Sequence, residues 1–117
     1  MARSTKDVFE SHLLMTLSWE IKPDIQTNYS RNCVIITSEG IFYGHDGVMK
    51  ALDSINKSMP DADFLYTTKQ WAGDIAFLEW QAEGDDYYID DGTETFYIHD
   101  GLICAQTIHY TVRSRST

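Results

Sequence analysis

Two rhythms of apolar residues divide this chain. Up to residue 60 they recur mostly at helical spacing, and from residue 64 onward at every second position. Phe9, Leu13 and Leu17 lie four apart, with Leu14 and Ile21 beside that stripe. Ser4 or Thr5 stands where a cap belongs, and Asp7 falls in the first turn, where a helix favours an acid. The spacing predicts a helix from about Thr5 to Glu20, stopped by Pro23, then a short helix capped by Asp24 and ending near Tyr29. Residues 33–37 and 41–43 read as two short strands around a Ser38-Glu39-Gly40 turn. Gly44-His45-Asp46 leads into a third helix, where Val48, Leu52, Ile55 and Met59 share a face, and Pro60 ends it. Four strands follow, from Phe64 to Trp71, Ile75 to Glu83, about Tyr88 to His99, and Leu102 to Val112. Their turns are Ala72-Gly73-Asp74, Gly84-Asp85-Asp86 and Asp100-Gly101, with a bulge expected at Asp91-Gly92.

This order predicts an α+β fold. A curved antiparallel sheet wraps around three helices, which pack into its concave side and leave a conical hollow. Length sets the expectation of a single domain over residues 1–117. The other sheet face would carry Phe77, Gln81, Thr95, Tyr97, Thr107 and His109, an amphipathic surface that suits a dimer interface as well as an open sheet face.

Against this pattern one residue stands out. Alternation puts Glu94 in line with Phe96 and Ile98, facing the core, and Thr95, Tyr97 and His99 on the other side. A carboxylate buried without a partner is costly, so it must be hydrogen-bonded, protonated or kept for a task. Its own stretch supplies no cation: between Lys69 and Arg113 there is no Lys or Arg, while acids are frequent. Desolvation is therefore expected to raise its pKa, leaving a neutral acid that serves as general acid, general base or hydrogen-bond donor. The alternative is a structural acid bonded to backbone N–H groups or a Tyr hydroxyl.

Charge and composition narrow the partners. A net charge of −9 argues against nucleic acid and anionic membrane surfaces. Residues 1–7 hold no apolar stretch of a signal peptide, and no run approaches the roughly 20 apolar residues of a membrane span. The expectation is a soluble cytoplasmic protein. Cys33 and Cys104 sit in apolar strand-like runs and read as free thiols rather than a disulfide or redox pair.

The chain resembles the nuclear transport factor 2-like superfamily, in particular its SnoaL-like group. The resemblance spans nearly the whole chain. It is carried by Tyr29-Ser30-Arg31-Asn32-Cys33-Val34, by Tyr43-Gly44-His45-Asp46-Gly47-Val48, by Phe77-Leu78-Glu79-Trp80, and by Glu94-Thr95-Phe96 followed by Asp100-Gly101-Leu102-Ile103. It implies a cone-shaped α+β barrel, usually dimeric through the sheet, and a group that includes steroid isomerases, polyketide cyclases, dehydratases and epoxide hydrolases. Such a fold does not by itself fix a function. The ketosteroid isomerase branch has a carboxylic acid of its oxyanion hole where this chain has Glu94. Its catalytic base is missing, since Thr37 stands at that position, and its inward phenol on the first helix is missing, since Leu13, Leu14 and Met15 occupy that neighbourhood. SnoaL-type cyclases pair a carboxylate with a cavity histidine, and Glu94 with His109 is the pair this resemblance suggests.

Counting on from the Asp100-Gly101 turn, the resemblance implies that Gln106, Ile108 and Tyr110 face inward and His109 outward. Glu79 falls on the Phe77 face, so it reads as an outer-face residue unless a bulge reverses the register. Trp80, Phe96, Phe64, Tyr66 and Trp71 form an aromatic wall, and Tyr29 and Tyr43 at helix–strand junctions are placed to reach the mouth of the cone. The expected ligand site is Trp80, Phe96, Gln106, Tyr110, Tyr29 and Tyr43, with Glu94 central and His109 and Glu79 as further acid–base candidates. A metal held by Glu79, Glu94 and His109 would need all three on one face, so no metal and no cofactor are expected. Three readings follow: a pocket for a small apolar or aromatic metabolite, a cofactor-independent cyclase, isomerase or dehydratase using Glu94, or a dimerisation module with a vestigial cavity.

Overall fold

A computed structural model describes residues 2–116; Met1 and Thr117 lie outside the described residues. Helix α1 runs Thr5–Leu17, with Ser4 Oγ accepting the Asp7 N–H at 3.1 Å as the cap. It ends earlier than its apolar spacing suggests, because the chain turns through Trp19 in the left-handed region at φ 60°. Helix α2, Ile21–Asn28, begins before Pro23 rather than after it. A proline is harmless in a first turn, whose N–H groups have no intrahelical partner. Strands β1 (Tyr29–Thr37) and β2 (Gly40–Tyr43) precede α3 (Gly44–Ser58), and β3 (Asp63–Ala72), β4 (Ile75–Glu83), β5 (Tyr87–His99) and β6 (Leu102–His109) follow. A short β7, Arg113–Ser114, pairs with the start of β5.

The strand order is β2-β1-β6-β5-β4-β3. β3 to β6 form the expected antiparallel meander, but β1 joins β6 in parallel, so the sheet is mixed rather than antiparallel throughout. The Asp100-Gly101 hairpin has both central residues at positive φ, 51° and 78°, the geometry that matches the twist of a tight hairpin. β4 and β5 slip register between Trp80 and Ala82, opposite the Asp91-Gly92 segment. β6 stops at His109, and the Thr111 N–H turns aside to the Asp91 carboxylate at 2.8 Å.

The curved, open sheet packs its inner residues, among them Leu78, Trp80, Phe96, Ile98 and Ile108, against Val8, Phe9 and Leu13 of α1 and Val48, Ala51 and Ile55 of α3. This is the α+β cone that the order of elements predicts. The other face carries two cross-strand rows, Tyr43-Val34-Ala105-Tyr97-Ile75 and Ile41-Ile36-Thr107-Thr95-Phe77. The first ends on exposed Tyr43 and Ile75, the second on exposed Ile41 and half-buried Phe77. Cys33 and Cys104 are free thiols, the first buried. Among the described residues, no helix is long and apolar enough to cross a membrane.

Candidate functional site

The buried face of α1 is Val8, Phe9, His12 and Leu13, not the Phe9-Leu13-Leu17 stripe; Leu14 and Leu17 are exposed. Since Val8, His12 and Thr16 lie four apart, the same face that anchors the helix carries an imidazole into the cone. Its Nδ1 lies 2.8 and 3.1 Å from the two carboxylate oxygens of Asp24. Asp24 does not cap α2. It is fully buried, and it also accepts a hydrogen bond from Asn28 Nδ2 at 2.8 Å, one helical turn on. Asn28 in turn accepts from the Arg3 guanidinium at 2.8 Å, while Arg3 also donates to the carbonyls of Thr27 and Gly101. With Nδ1 committed to Asp24 as donor, Nε2 of a neutral His12 is left with its lone pair free.

A second chain of hydrogen bonds comes from the sheet. Tyr29 Oη donates to Gln106 Oε1, and Gln106 Nε2 donates to Glu94 Oε1 at 2.7 Å. Because the amide accepts on one side and donates on the other, its orientation is fixed, and one oxygen of Glu94 is occupied. The indole N–H of Trp80 stands beside Glu94, near enough to favour its charged form, but its geometry falls short of a hydrogen bond. Among the described residues it is the buried side-chain polar atom left without a partner.

These groups meet in a cavity of about 240 Å³. His12, Glu94, Gln106 and Trp80 form its polar end; Leu52, Ile55, Phe64, Leu78 and Ile108 form an apolar wall, and exposed Leu17 and Trp19 stand at the rim. Thr16 donates to the Leu13 carbonyl at 2.9 Å, so the 2.6 Å contact with Tyr66 has the phenol as donor, and the Tyr66 oxygen keeps lone pairs for the cavity. Among the described residues, no Lys or Arg lines the cavity.

Burial is the largest influence on Glu94 and raises its pKa, with the charge of Asp24 adding to it; His12, Gln106 and Trp80 pull the other way without cancelling it. For His12 burial, again the largest influence, pushes the imidazole down, but the hydrogen bond and charge of Asp24 with the charge of Glu94 lift it above its ordinary value. Each of the two therefore favours the charged form of the other. Burial pushes the Tyr66 phenol up to about 12, with the Glu94 and Asp24 charges adding to it, and it pushes Tyr29 well above the ordinary phenol range. Both are neutral donors or acceptors near neutrality.

Several expected ligand residues are elsewhere. Tyr43 is 72% exposed, because it lies in the edge strand β2 and points to the outer face. Tyr29 is buried with its hydroxyl spent on Gln106, so it props the site rather than reaching the mouth. Phe96 is fully buried, packed against Phe9 and the edge of His12, and does not line the cavity. Tyr110 lies behind Trp80, ring centres 5.8 Å apart, in a separate small crevice with Ser54 and Glu39. Glu79 and His109 both pair with Thr93 on the outer face, away from Glu94, so the Glu94–His109 pair does not form. Its place is taken by His12, which sequence reasoning passed over. The available signal was its spacing of three and four from Phe9 and Val8.

No protein-family model and no curated protein sequence matches the chain. Solved structures do match its fold. An NTF2-like protein of unknown function from Cytophaga hutchinsonii aligns with a TM-score of 0.72 at 11% identity, over 95% of this chain and 93% of that one. A candidate isomerase of the SnoaL-like family from Agrobacterium tumefaciens gives 0.69 at 13% identity, over 90% and 98%. TerC, co-crystallised with polyporic acid, gives 0.76 at 12% identity, over 92% and 91%. The class defined by this likeness is a fold, the nuclear transport factor 2-like cone.

Proposed function

We propose that the cavity takes up a small, mostly apolar neutral molecule and that His12 and Glu94 move a proton on it. The observation that carries this reading is His12, held by the fully buried Asp24, facing the same cavity as the half-buried Glu94. Two titratable groups, His12 and Glu94, share one hollow, and a buried carboxylate holds the first of them, where apolar side chains would pack at less cost. In this reading neutral His12 is the base through Nε2, Asp24 fixes its tautomer and stabilises the imidazolium, and Glu94 is the acid or the acceptor of the returning proton. Isomerisation, cyclisation and dehydration all need such a transfer, and structural neighbours carry isomerase and cyclase names. A cavity of about 240 Å³ suits a mono- or bicyclic compound.

The test uses 1-tetralone as probe, with deuterium exchange at C2 followed by proton NMR. The wild type should accelerate exchange at least about a hundredfold over buffer, with His12→Gln and Glu94→Gln both losing the effect while binding persists. Binding without acceleration would leave a pocket protein and remove the catalytic part of the proposal. We further propose a homodimer through the outer sheet face, supported by its two apolar rows. Sedimentation velocity should give a dimer that Tyr97→Lys with Ile36→Lys converts to monomer, and a monomeric wild type would overturn it.

A further inference from the structure

We propose that Trp80 is a specificity-determining residue, its indole N–H reading a carbonyl oxygen of the ligand at the polar end of the cavity. This deepens, and rests on, the proposal that the cavity binds a small neutral molecule. The indole nitrogen is donor only, and a buried donor without an acceptor is both costly and rare. Trp80 is 2% exposed and has none among the described residues.

Nor can the ring turn to find one. Phe64 and Tyr110 pack against it with ring centres 5.6 and 5.8 Å away. Beneath it lies Gly92, its cross-strand partner, where an added Cβ would come within 2.3 Å of the indole carbon Cδ2. The absence of a side chain at residue 92 lets the indole lie flat on the strand and sets the direction of its N–H. Glu94 stands beside that N–H, yet its Oε1 is already held by Gln106, which Tyr29 holds in turn. The N–H is closed off from the cavity as it stands, so a ligand oxygen reaches it only once the Glu94 side chain beside it shifts, and then meets a fixed, dry donor, conditions under which a hydrogen bond gains strength.

The surroundings select the kind of oxygen. In a lining without Lys or Arg among the described residues, Glu94 and Asp63 set acids against a carboxylate or phosphate, while His12 attracts an anion only in its protonated form. A carbonyl offers two lone pairs, one for the indole and one for protonated Glu94, and brings no proton of its own needing an acceptor. The ligand class is therefore a neutral cyclic ketone, aryl ketone or quinone with an apolar body.

Three probes of one shape separate the possibilities: 1-tetralone, 1-tetralol and tetralin. In ¹⁵N-labelled protein the indole N–H peak of Trp80 is assigned by its loss in Trp80→Phe. It should move downfield on adding 1-tetralone and stay in place with tetralin. Calorimetry should show the ketone preferred over tetralin by about tenfold, the scale of one net hydrogen bond. That preference should collapse to within about twofold in Trp80→Phe, with tetralin affinity falling less than the ketone's. A preference that survives in Trp80→Phe, an alcohol bound more tightly than the ketone, an indole peak indifferent to the ketone, or no binding of any probe would each overturn the proposal. Should Trp80→Phe not fold, the wild-type indole peak, recognised by elimination in variants of Trp19 and Trp71, decides alone. Ketone binding at Trp80 without C2 exchange would refute the proton-transfer reading and leave this one standing.

Discussion

Glu94 and Glu79 are a useful pair to compare. They sit on neighbouring strands of the same sheet, Glu79 between Leu78 and Trp80 and Glu94 between Thr93 and Thr95. One register step separates their orientations: Glu94 is opposite Leu78 and faces the cone, while Glu79 is opposite Thr93 and faces outward. The histidines divide in the same way, His12 buried against Asp24 and His109 exposed beyond Thr93. Identical chemistry thus becomes a shifted, coupled site on one face and an ordinary surface on the other. What differs is desolvation, which the pleat assigns by parity and no residue type carries on its own.

The comparison can be broken most forcefully at Asp24. Asp24→Ala strands a buried imidazole and the Asn28 amide, and should lower stability by about 3 kcal/mol, read as a drop in Tm of roughly 10 °C. If thermal unfolding moved no more than for an outer-face substitution, the buried pair would not be the organising feature of the inner face. Gly92→Ala is expected next, at about 2 kcal/mol from overpacking against Trp80. Near-ultraviolet circular dichroism should show the indole displaced.

Glu94→Gln sharpens the contrast because its sign is opposite. Burial raises the carboxyl pKa in the folded state, so the native protein prefers the neutral acid. Its contribution is full below the unfolded value near pH 4.3 and drains away as pH rises through the folded value. His12, also raised, acts in the same direction: its contribution is intact below about pH 6.5 and is lost as pH rises through the folded value. Glu94→Gln should therefore stabilise by about 1 kcal/mol at pH 8 and by nothing measurable at pH 4, from urea unfolding at both pH values. A destabilised variant at pH 8 would mean the carboxylate is structural. The smallest effects belong outside: Glu79→Gln and His109→Gln should shift Tm by less than about 2 °C and leave tetralone binding unchanged.

Much of the fold was legible because its signals are local. The Asp100-Gly101 turn, the period-two runs and the Val48–Ile55 stripe each declare themselves within a dozen residues. Glu94, Gln106 and Trp80 followed from parity once the hairpins were placed. His12 and Asp24 escaped because a helix stripe is read by its apolar members, and a buried polar residue on that stripe looks like a break in the pattern. The parallel seam of β1 and β6 was equally invisible, since no turn joins the two strands. Tyr29 shows the subtler failure: its inward position could be counted, but the hydroxyl's commitment to Gln106 depends on a contact 77 residues away.

That last contact has a kinetic side. His12 and Asp24 are 12 residues apart in a pair of adjacent helices, so the dyad can assemble as soon as the two helices meet. The Tyr29–Gln106–Glu94 chain must wait until β1 docks beside β6, which closes most of the polypeptide into one loop and comes at high entropic cost. The two halves of the site belong to different stages of folding. Destabilising substitutions along the seam should accordingly appear mainly as faster unfolding, with the binding corner opening first and the helical pair surviving longest under hydrogen exchange.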